Sequence, residues 1–150
     1  VSATNDPAVS RITVTLRGTE QALNQLILQT ERLEVTRQIF ELDPDKSLQR
    51  ELLLLKVACD AGNRAALREI SSIYKAKIID LSPDSMIFEL TGKPDKIDAF
   101  LAMLRDYDIL ELCRTGVTAL ERGGKHQHMQ KPAQEVREMQ LPLPGTHCPQ

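Results

Sequence analysis

The chain has 150 residues, which is enough for one domain of typical size or for two small ones. Its composition, 41% hydrophobic and 27% charged, is typical of a globular protein, and with only 3% aromatic residues its core must be aliphatic. A net charge of −2 gives no electrostatic reason to expect binding to nucleic acid or to an acidic membrane.

The first part of the chain predicts a strand, a helix and a second strand. Residues 10–17 alternate apolar and polar side chains, as a half-buried strand does, and Gly18 ends the pattern. Thr19 is a suitable cap for a helix over residues 20–32. Residues 34–42, rich in Val, Thr, Ile and Phe, predict another strand. The apolar stripe of the helix consists of Leu23, Leu26, Ile27 and Thr30.

A short polar linker over residues 43–49 marks a predicted domain boundary, and a strand over residues 50–59 follows it. This strand is apolar on both faces, so it needs cover on both sides. Helices of the same chain can cover one face, and the other requires either a second layer of an ordinary monomer core or a partner subunit. The two sets of apolar side chains are Leu53, Leu55 and Val57 on one face, and Leu52, Leu54 and Ala58 on the other.

The remaining elements complete a regular pattern. A helix follows Asn63 and ends near Ala76, with an apolar stripe of Leu67, Ile70, Ile73 and Tyr74. Residues 77–81 and 86–91 predict two strands of a hairpin. Pro94 then suits the first turn of a helix whose stripe is Ile97, Phe100, Leu101 and Leu104. Residues 108–115 predict a last strand, which residues 117–120 extend.

The order β-α-β-β-α-β over residues 50–123 is the split βαβ, or ferredoxin-like, plan. In this plan four antiparallel strands carry two helices on one face, and the other face stays open. Residues 1–42 match only the last three elements of the same plan. The sequence therefore predicts an α+β protein of two ferredoxin-like units in tandem, the first incomplete at its N-terminal end, followed by a flexible tail over residues 124–150.

The cysteines are widely spaced, with no CxxC motif, which favours a reducing, cytoplasmic location. Cys59 and Cys113 fall in predicted strands, where buried thiols are expected. His126 and His128, with Cys148, lie in the predicted tail, and two histidines two residues apart without carboxylates do not make a metal site. No metal or cofactor site is predicted in this chain.

The sequence contains no P-loop, no GxGxxG after a strand, no GxSxG and no HExxH. Two short segments have an anion-binding pattern. Gly62-Asn63-Arg64 follows the first strand of the ferredoxin-like unit and opens a helix, where backbone amides together with an Arg and an Asn can hold a phosphate or carboxylate. Small acyl-phosphate hydrolases of this fold use an Arg and an Asn for this purpose. The alternative is a helix cap beside a solvated arginine. Arg114-Thr115-Gly116 is either an anion contact or simply a strand end.

Several blocks in order and at matching spacing resemble the small, regulatory subunit of acetolactate synthase. They are Arg50-Glu51-Leu52, Lys56-Val57, Ala76-Lys77-Ile78-Ile79-Asp80, Leu90-Thr91-Gly92, Lys96-Ile97-Asp98-Ala99-Phe100-Leu101, Arg114-Thr115-Gly116, Ala119-Leu120 and Arg122-Gly123. Upstream, Asn5-Asp6-Pro7 and Ser10-Arg11-Ile12-Thr13 resemble the second and third strands of that family's ACT domain.

The resemblance implies a partial ACT domain over residues 1–42 and a C-terminal regulatory-subunit domain over residues 50–123. It also implies a dimeric protein that has no catalytic residues and binds the large catalytic subunit, which holds thiamine diphosphate, FAD and magnesium. Such a subunit raises the activity of its partner and transmits feedback inhibition by a branched-chain amino acid, usually valine. The family's effector-binding loop aligns upstream of Val1, so the resemblance assigns no effector residue here.

Ser10 and Arg11 match the family pattern, either as a structural strand start or as a subunit contact. Two other functions stay open from the sequence. One is an amino-acid-sensing module with a different partner, and the other is an acyl-phosphate hydrolase that uses Asn63 and Arg64.

Overall fold

A computed structural model of the protein describes residues 1–124. In chain order the elements are β1 (Ser2–Ala3), β2 (Ser10–Arg11), α1 (Glu20–Glu31), β3 (Ser47–Ala58), α2 (Arg64–Tyr74), β4 (Lys77–Leu81), β5 (Ser85–Gly92), α3 (Pro94–Met103), β6 (Ile109–Arg114) and β7 (Thr118–Glu121). Except for Gly124, the tail expected over residues 124–150 lies outside the described residues, and so do His126, His128 and Cys148.

Four strands of the C-terminal part form an antiparallel sheet in the order β4-β5-β3-β6. The central strand β3 pairs with β5 over eight residues, from Glu51 opposite Gly92 to Ala58 opposite Ser85. Helices α2 and α3 cover one face of this sheet. The arrangement confirms the predicted α+β class and the ferredoxin-like plan of this part of the chain.

The core lies between that face and the two helices. Leu53, Leu55 and Val57 of β3 are fully buried there. Phe100 of α3 stands over the sheet, with its ring centroid 5.9 Å from that of Phe88 and 5.4 Å from that of Tyr74. Edge-to-face and tilted ring pairs of this kind add to the free energy that burial alone supplies. The other buried members of the core are Cys59, Leu67, Met86, Leu90, Ile97 and Leu104.

Three details of the C-terminal part differ from the sequence prediction. Strand β3 begins at Ser47, so the last residues of the expected linker already belong to it. This early part of β3 pairs with β7, from Ser47 opposite Glu121 to Arg50 opposite Thr118, and forms a two-stranded ribbon beyond the four-stranded sheet. The place of Ile73 in the buried stripe of α2 was wrong, because its side chain is 69% exposed.

The strands predicted over residues 10–17 and 34–42 are wrong except for Ser10 and Arg11. Helix α1 does form, and the Thr19 hydroxyl accepts a hydrogen bond from the amide of Ala22 at 3.3 Å. None of its residues is buried. A strand needs a hydrogen-bonded neighbour, and within the described residues β2 finds only the two residues of β1. The residues that were to face inward from the first strand are therefore exposed: Ile12, Val14 and Leu16.

Candidate functional site

The turn before α2 was one of the two candidate anion sites. A carboxylate of the same chain occupies this turn: Asp60 Oδ1 accepts hydrogen bonds from the amides of Gly62 at 2.8 Å and Asn63 at 2.9 Å. The Asn63 side chain in turn accepts a hydrogen bond from the amide of Asp60 at 2.8 Å. Amides that an external phosphate would need are thus already satisfied by an internal carboxylate.

Arg64 is also engaged within the protein. Its Nε lies 3.5 Å from Cys59 Sγ, and its Nη2 donates to the carbonyl oxygen of Pro83 at 3.2 Å. The guanidinium therefore ties the start of α2 to the turn between β4 and β5. These contacts argue against the hydrolase interpretation. The helix-cap interpretation holds only for the position of Asn63 at the start of α2, because its side chain bonds the amide of Asp60 and makes no hydrogen bond to the helix.

Arg114, in the second candidate segment, binds two carboxylates of the protein. Its Nε and Nη2 donate to Glu51 Oε1 and Oε2 at 2.6 and 2.9 Å, and its Nη1 donates to Asp98 Oδ1 at 2.7 Å. These bonds connect β6 to β3 and α3. The Glu51 side chain is only 4% exposed, that of Asp98 is 57% exposed, and Arg114 lies between them at 30%.

The hydrogen bonds that Arg114 donates to Glu51, and then the one that it donates to Asp98, raise the pKa of Arg114 above its already high ordinary value. The guanidinium is therefore charged at every pH at which the protein folds, and it neutralises a carboxylate that burial would otherwise destabilise. The anion contact considered for Arg114 exists, but its anions are Glu51 and Asp98. Asp98 was expected to belong to a merely solvated helix face.

The next residues of that segment complete the strand end. The amide of Thr115 donates to the carbonyl of Leu52 at 3.1 Å, and its hydroxyl accepts from the amide of Leu52 at 3.0 Å. Gly116 follows with φ of +80°, a conformation that side-chain-bearing residues rarely adopt. This glycine lets the chain turn from β6 into β7 while both strands stay paired with β3.

The second face of the sheet, which we call the outer face, points away from α2 and α3. Residues directly opposite each other on paired strands share a face, so Leu54 shares the outer face with its partners Glu89 and Cys113. Two ion pairs cross this face: Lys56 Nζ lies 3.0 Å from Glu111 Oε2, and Lys77 Nζ lies 4.0 Å from Glu89 Oε1. The side chains on the outer face include Leu52, Leu54, Lys56, Ala58, Lys77, Asp80, Ile87, Glu89, Thr91, Glu111 and Cys113.

Of the two cysteines expected to be buried, the structure buries only Cys59, which is 3% exposed. The prediction for Cys113 was wrong, because this residue is exposed on β6 at the edge of the sheet. Cys113 shares the outer face with Leu54, and helices α2 and α3 cover only the opposite face, so its place in a strand does not bury it.

Ser10 and Arg11 lie together on β2, and the structure shows what Arg11 contacts within the chain. Its guanidinium carbon stands 5.0 Å from the ring centroid of Phe40, at cation–π distance. Ser10 is paired with Ala3 of β1. A subunit contact by Ser10 and Arg11 stays a prediction.

An open cleft of about 420 Å³ lies at the start of α3, beside the end of β5. Its lining residues are Arg50, Thr91, Gly92, Lys93, Asp95 and Lys96. Across residues 1–124 no group of three His, Cys, Asp or Glu side chains is arranged to hold a metal ion. In the same part of the chain no helix combines the length and the apolar character needed to cross a membrane.

Sequence reasoning did not pair Glu51 with Arg114, although it named both segments. A signal was present, because Glu51 has the same parity along β3 as the buried Leu53 and Leu55. A carboxylate among apolar neighbours needs a cationic partner. The partner lies 63 residues away in sequence, so only the pairing of β3 with β6 identifies it.

Comparison with known proteins places this architecture in a family. The family model described as "Small subunit of acetolactate synthase" matches residues 50–123, from the central part of β3 to the end of the ribbon. A solved structure of the acetolactate synthase small subunit from Thermotoga maritima superposes with a TM-score of 0.66 at 29% identity, covering 72% of this chain and 68% of that one.

Curated relatives extend the similarity beyond the matched domain. A probable acetolactate synthase small subunit of Methanothermobacter thermautotrophicus is 36% identical over 126 residues, 83% of this chain and 75% of the relative. One from Archaeoglobus fulgidus is 38% identical over 125 residues, and the isozyme 3 small subunit of Salmonella typhimurium is 36% identical over 126 residues. The chain belongs to the family of acetolactate synthase small subunits, as its sequence blocks predicted.

Proposed function

We propose that this chain is the regulatory subunit of acetolactate synthase, which binds the large catalytic subunit and raises its activity. The observation that carries the proposal is the similarity to named small subunits over 83% of the chain, at 36% identity. In the described part of the chain, both segments with an anion-binding pattern contact groups of the chain itself. Arg114 binds Glu51 and Asp98, and Arg64 contacts Cys59 and Pro83.

We further propose that the subunit transmits feedback inhibition by valine, in the synthesis of the branched-chain amino acids valine, leucine and isoleucine. For this the effector must bind two states of the assembly with different affinities, since an effector that binds both equally shifts nothing. The subunit would act as a homodimer in the cytoplasm. Thiamine diphosphate, FAD and magnesium would belong to the catalytic partner, and none of them to this chain.

Of the alternatives, the acyl-phosphate hydrolase has the structure against it, because Asp60 occupies the amides that would cradle a phosphate. The amino-acid-sensing module with a different partner differs from the proposal only in what the chain binds. No contact among residues 1–124 favours it.

Association with the catalytic subunit tests the proposal. The full chain is mixed with the purified catalytic subunit of the same organism, and the molar mass of the eluted species is measured by light scattering. We expect one complex that contains both proteins. Separate elution of two well-folded proteins at concentrations of tens of micromolar would contradict the proposal and favour the module with another partner.

A further inference from the structure

The open cleft at the start of α3 is a concentration of positive charge. Three of the residues that line it are cations, Arg50, Lys93 and Lys96, and Asp95 is the one carboxylate among them, so the cleft has a local charge of +2. The chain as a whole has a net charge of −2. A cleft lined by charges of one sign concentrates the opposite charge near it, so this part of the surface attracts anions.

The charges of the cleft are not neutralised within the described residues. Other lysines of the sheet lie beside carboxylates, as Lys56 does with its Nζ 3.0 Å from Glu111 Oε2. Across residues 1–124 the three cations of the cleft form no such ion pair. The Nη1 of Arg50 donates to the carbonyl oxygen of Gln49 at 2.7 Å, which leaves its charge unpaired.

Two of the cations stand where they do not suit their own helix. Lys93 is the N-cap of α3, and Lys96 lies in its first turn. The N-terminus of a helix has a partial positive charge, which favours carboxylates and disfavours cations. Two like charges three residues apart at the start of a helix also repel each other. A local preference that is broken without an internal gain indicates a function, and here that function is the binding of negative charge.

Gly92 gives the side chain of Lys96 a fixed place beside the cleft. A Cβ built on this buried glycine would lie 2.8 Å from Lys96 Cδ and 3.4 Å from its Cβ, so the lysine stem packs directly on the backbone at the end of β5. A side chain held by its stem has less freedom to lose when its charged end binds a ligand. The cleft is therefore partly preorganised for an anion.

The backbone at the start of α3 contributes little to such a site. Pro94 has no amide hydrogen, and the amides of Lys96 and Ile97 donate to the carbonyl oxygen of Lys93 at 3.0 and 3.3 Å. An anion in the cleft would therefore be bound by side chains. The guanidinium of Arg50 can hold a carboxylate with two parallel hydrogen bonds, and the lysines act as point charges.

The openness of the cleft to solvent decides which kind of anion it fits. An exposed ion pair changes affinity by at most about five-fold, so three of them would hold a free small anion only at roughly millimolar concentrations. A carboxylate that belongs to a protein already in contact elsewhere is present at a high effective concentration. The cleft thus suits an acidic segment of a protein partner better than a free metabolite.

We propose that the cleft binds an acidic surface segment of the catalytic subunit, with at least two carboxylates placed among Arg50, Lys93 and Lys96. The inference rests on the association described under the proposed function and adds a surface and the chemistry of the partner's side. Ion pairs at an exposed surface of this kind set the rate of association and its dependence on salt.

The experiment measures the dissociation constant between the full chain and the purified catalytic subunit of the same organism, at about 50 and about 300 mM salt. The test variant combines Lys93→Glu and Lys96→Glu. The control combines Arg68→Glu and Arg105→Glu, which changes the net charge equally. Arg68 is exposed in the first half of α2, and Arg105 is 79% exposed beyond the end of α3 that lies away from the cleft.

At the lower salt concentration we expect the test variant to bind at least ten-fold more weakly than the parent, and the control to stay within about three-fold. The affinity of the parent should fall more steeply with salt than that of the test variant. Glutamates suit the start of a helix, so the urea midpoint of the test variant should not fall. If it does fall, Lys93→Gln with Lys96→Gln replaces it, with an expected weakening of about five-fold.

Three results would overturn the proposal. A parent chain that does not bind the catalytic subunit would remove the association of the proposed function together with this surface. Unchanged affinity of the test variant, or equal weakening by the control, would leave the association standing and place its surface elsewhere. Micromolar binding of inorganic phosphate to the chain alone, lost in the test variant, would assign the cleft to a small anion instead.

Discussion

Removing the positive charge of Arg114 should be among the most damaging single changes in the C-terminal part. We expect Arg114→Met to lower the free energy of unfolding by about 3–4 kcal/mol, because it leaves the carboxylate of Glu51 unpaired with only 4% of its side chain exposed. The lost bond to Asp98 contributes little to this figure, since that side chain is 57% exposed and water replaces the partner.

Urea denaturation followed by circular dichroism measures the effect. With a slope of about 2 kcal/mol per molar urea, the midpoint should fall by about 1.5–2 M. Arg105→Met is the matched control, because Arg105 and Asp106 are 79% and 87% exposed and their ion pair spans 3.8 Å. We expect a change within about 0.5 kcal/mol for that variant.

A double variant separates charge from packing. If the cost of Arg114→Met comes from the unpaired carboxylate, replacing Glu51 by methionine as well should restore at least half of the lost stability. A loss below about 1 kcal/mol for Arg114→Met, or no recovery in the double variant, would refute the assignment of Glu51 and Arg114 as a buried pair.

Three other predictions concern the core, the turn before β7 and Arg64. Phe100→Ala should lower the free energy of unfolding, measured with urea, by about 3–5 kcal/mol, because Phe100 is fully buried against Phe88 and Tyr74. Met103→Ala, on the exposed side of α3, should lower it by less than about 1 kcal/mol. Equal losses would contradict the placement of α3. Gly116→Ala should lower the free energy of unfolding by about 1 kcal/mol, because Gly116 has a φ of +80°. Gly124→Ala is the control and should have no measurable effect, since nothing lies near its Cβ position. Unchanged stability of Gly116→Ala in thermal or urea unfolding would argue against that turn. Purified protein should not hydrolyse acetyl phosphate above the buffer rate, and hydrolysis abolished by Arg64→Ala would contradict the internal role found for Arg64.

The C-terminal fold was predictable because its signals are local and agree with one another. The apolar stripe of α3 is set by helical spacing alone, and the structure buries Ile97, Phe100 and Leu104 in full. Pro94 and the turn before Ser85 mark element boundaries that the structure reproduces within a residue or two. The prediction that Ile73 belongs to the buried stripe of α2 was wrong, because helical spacing alone does not decide whether a residue at the border of the stripe is buried.

The N-terminal strands failed for a reason that is not local. The apolar side chains of this segment alternate with polar ones, as in a half-buried strand: Ile12, Val14 and Leu16. This pattern predicts only which side chains would share a face. Whether the strand forms depends on a neighbour that supplies backbone hydrogen bonds. Among the described residues that neighbour is the two-residue β1, so the pairing stops at Arg11.

The site residues show the same division between local and distant information. Asn63 and Arg64 were correctly placed at the start of a helix, but their partners Asp60, Cys59 and Pro83 were not predicted. Glu51 and Arg114 meet only because β3 pairs with β6 in one register. A single sequence contains the residue types, and the fold decides which of them meet.

The regulatory role is tested by acetolactate formation by the purified catalytic subunit, with and without this chain, each titrated with valine. We predict that the chain raises the rate and that valine lowers the stimulated rate more than the basal one. Stimulation without sensitivity to valine would confirm the activating role and refute the proposed feedback inhibition for this chain. No change in rate, with a folded chain present in excess, would contradict the assignment as a regulatory subunit.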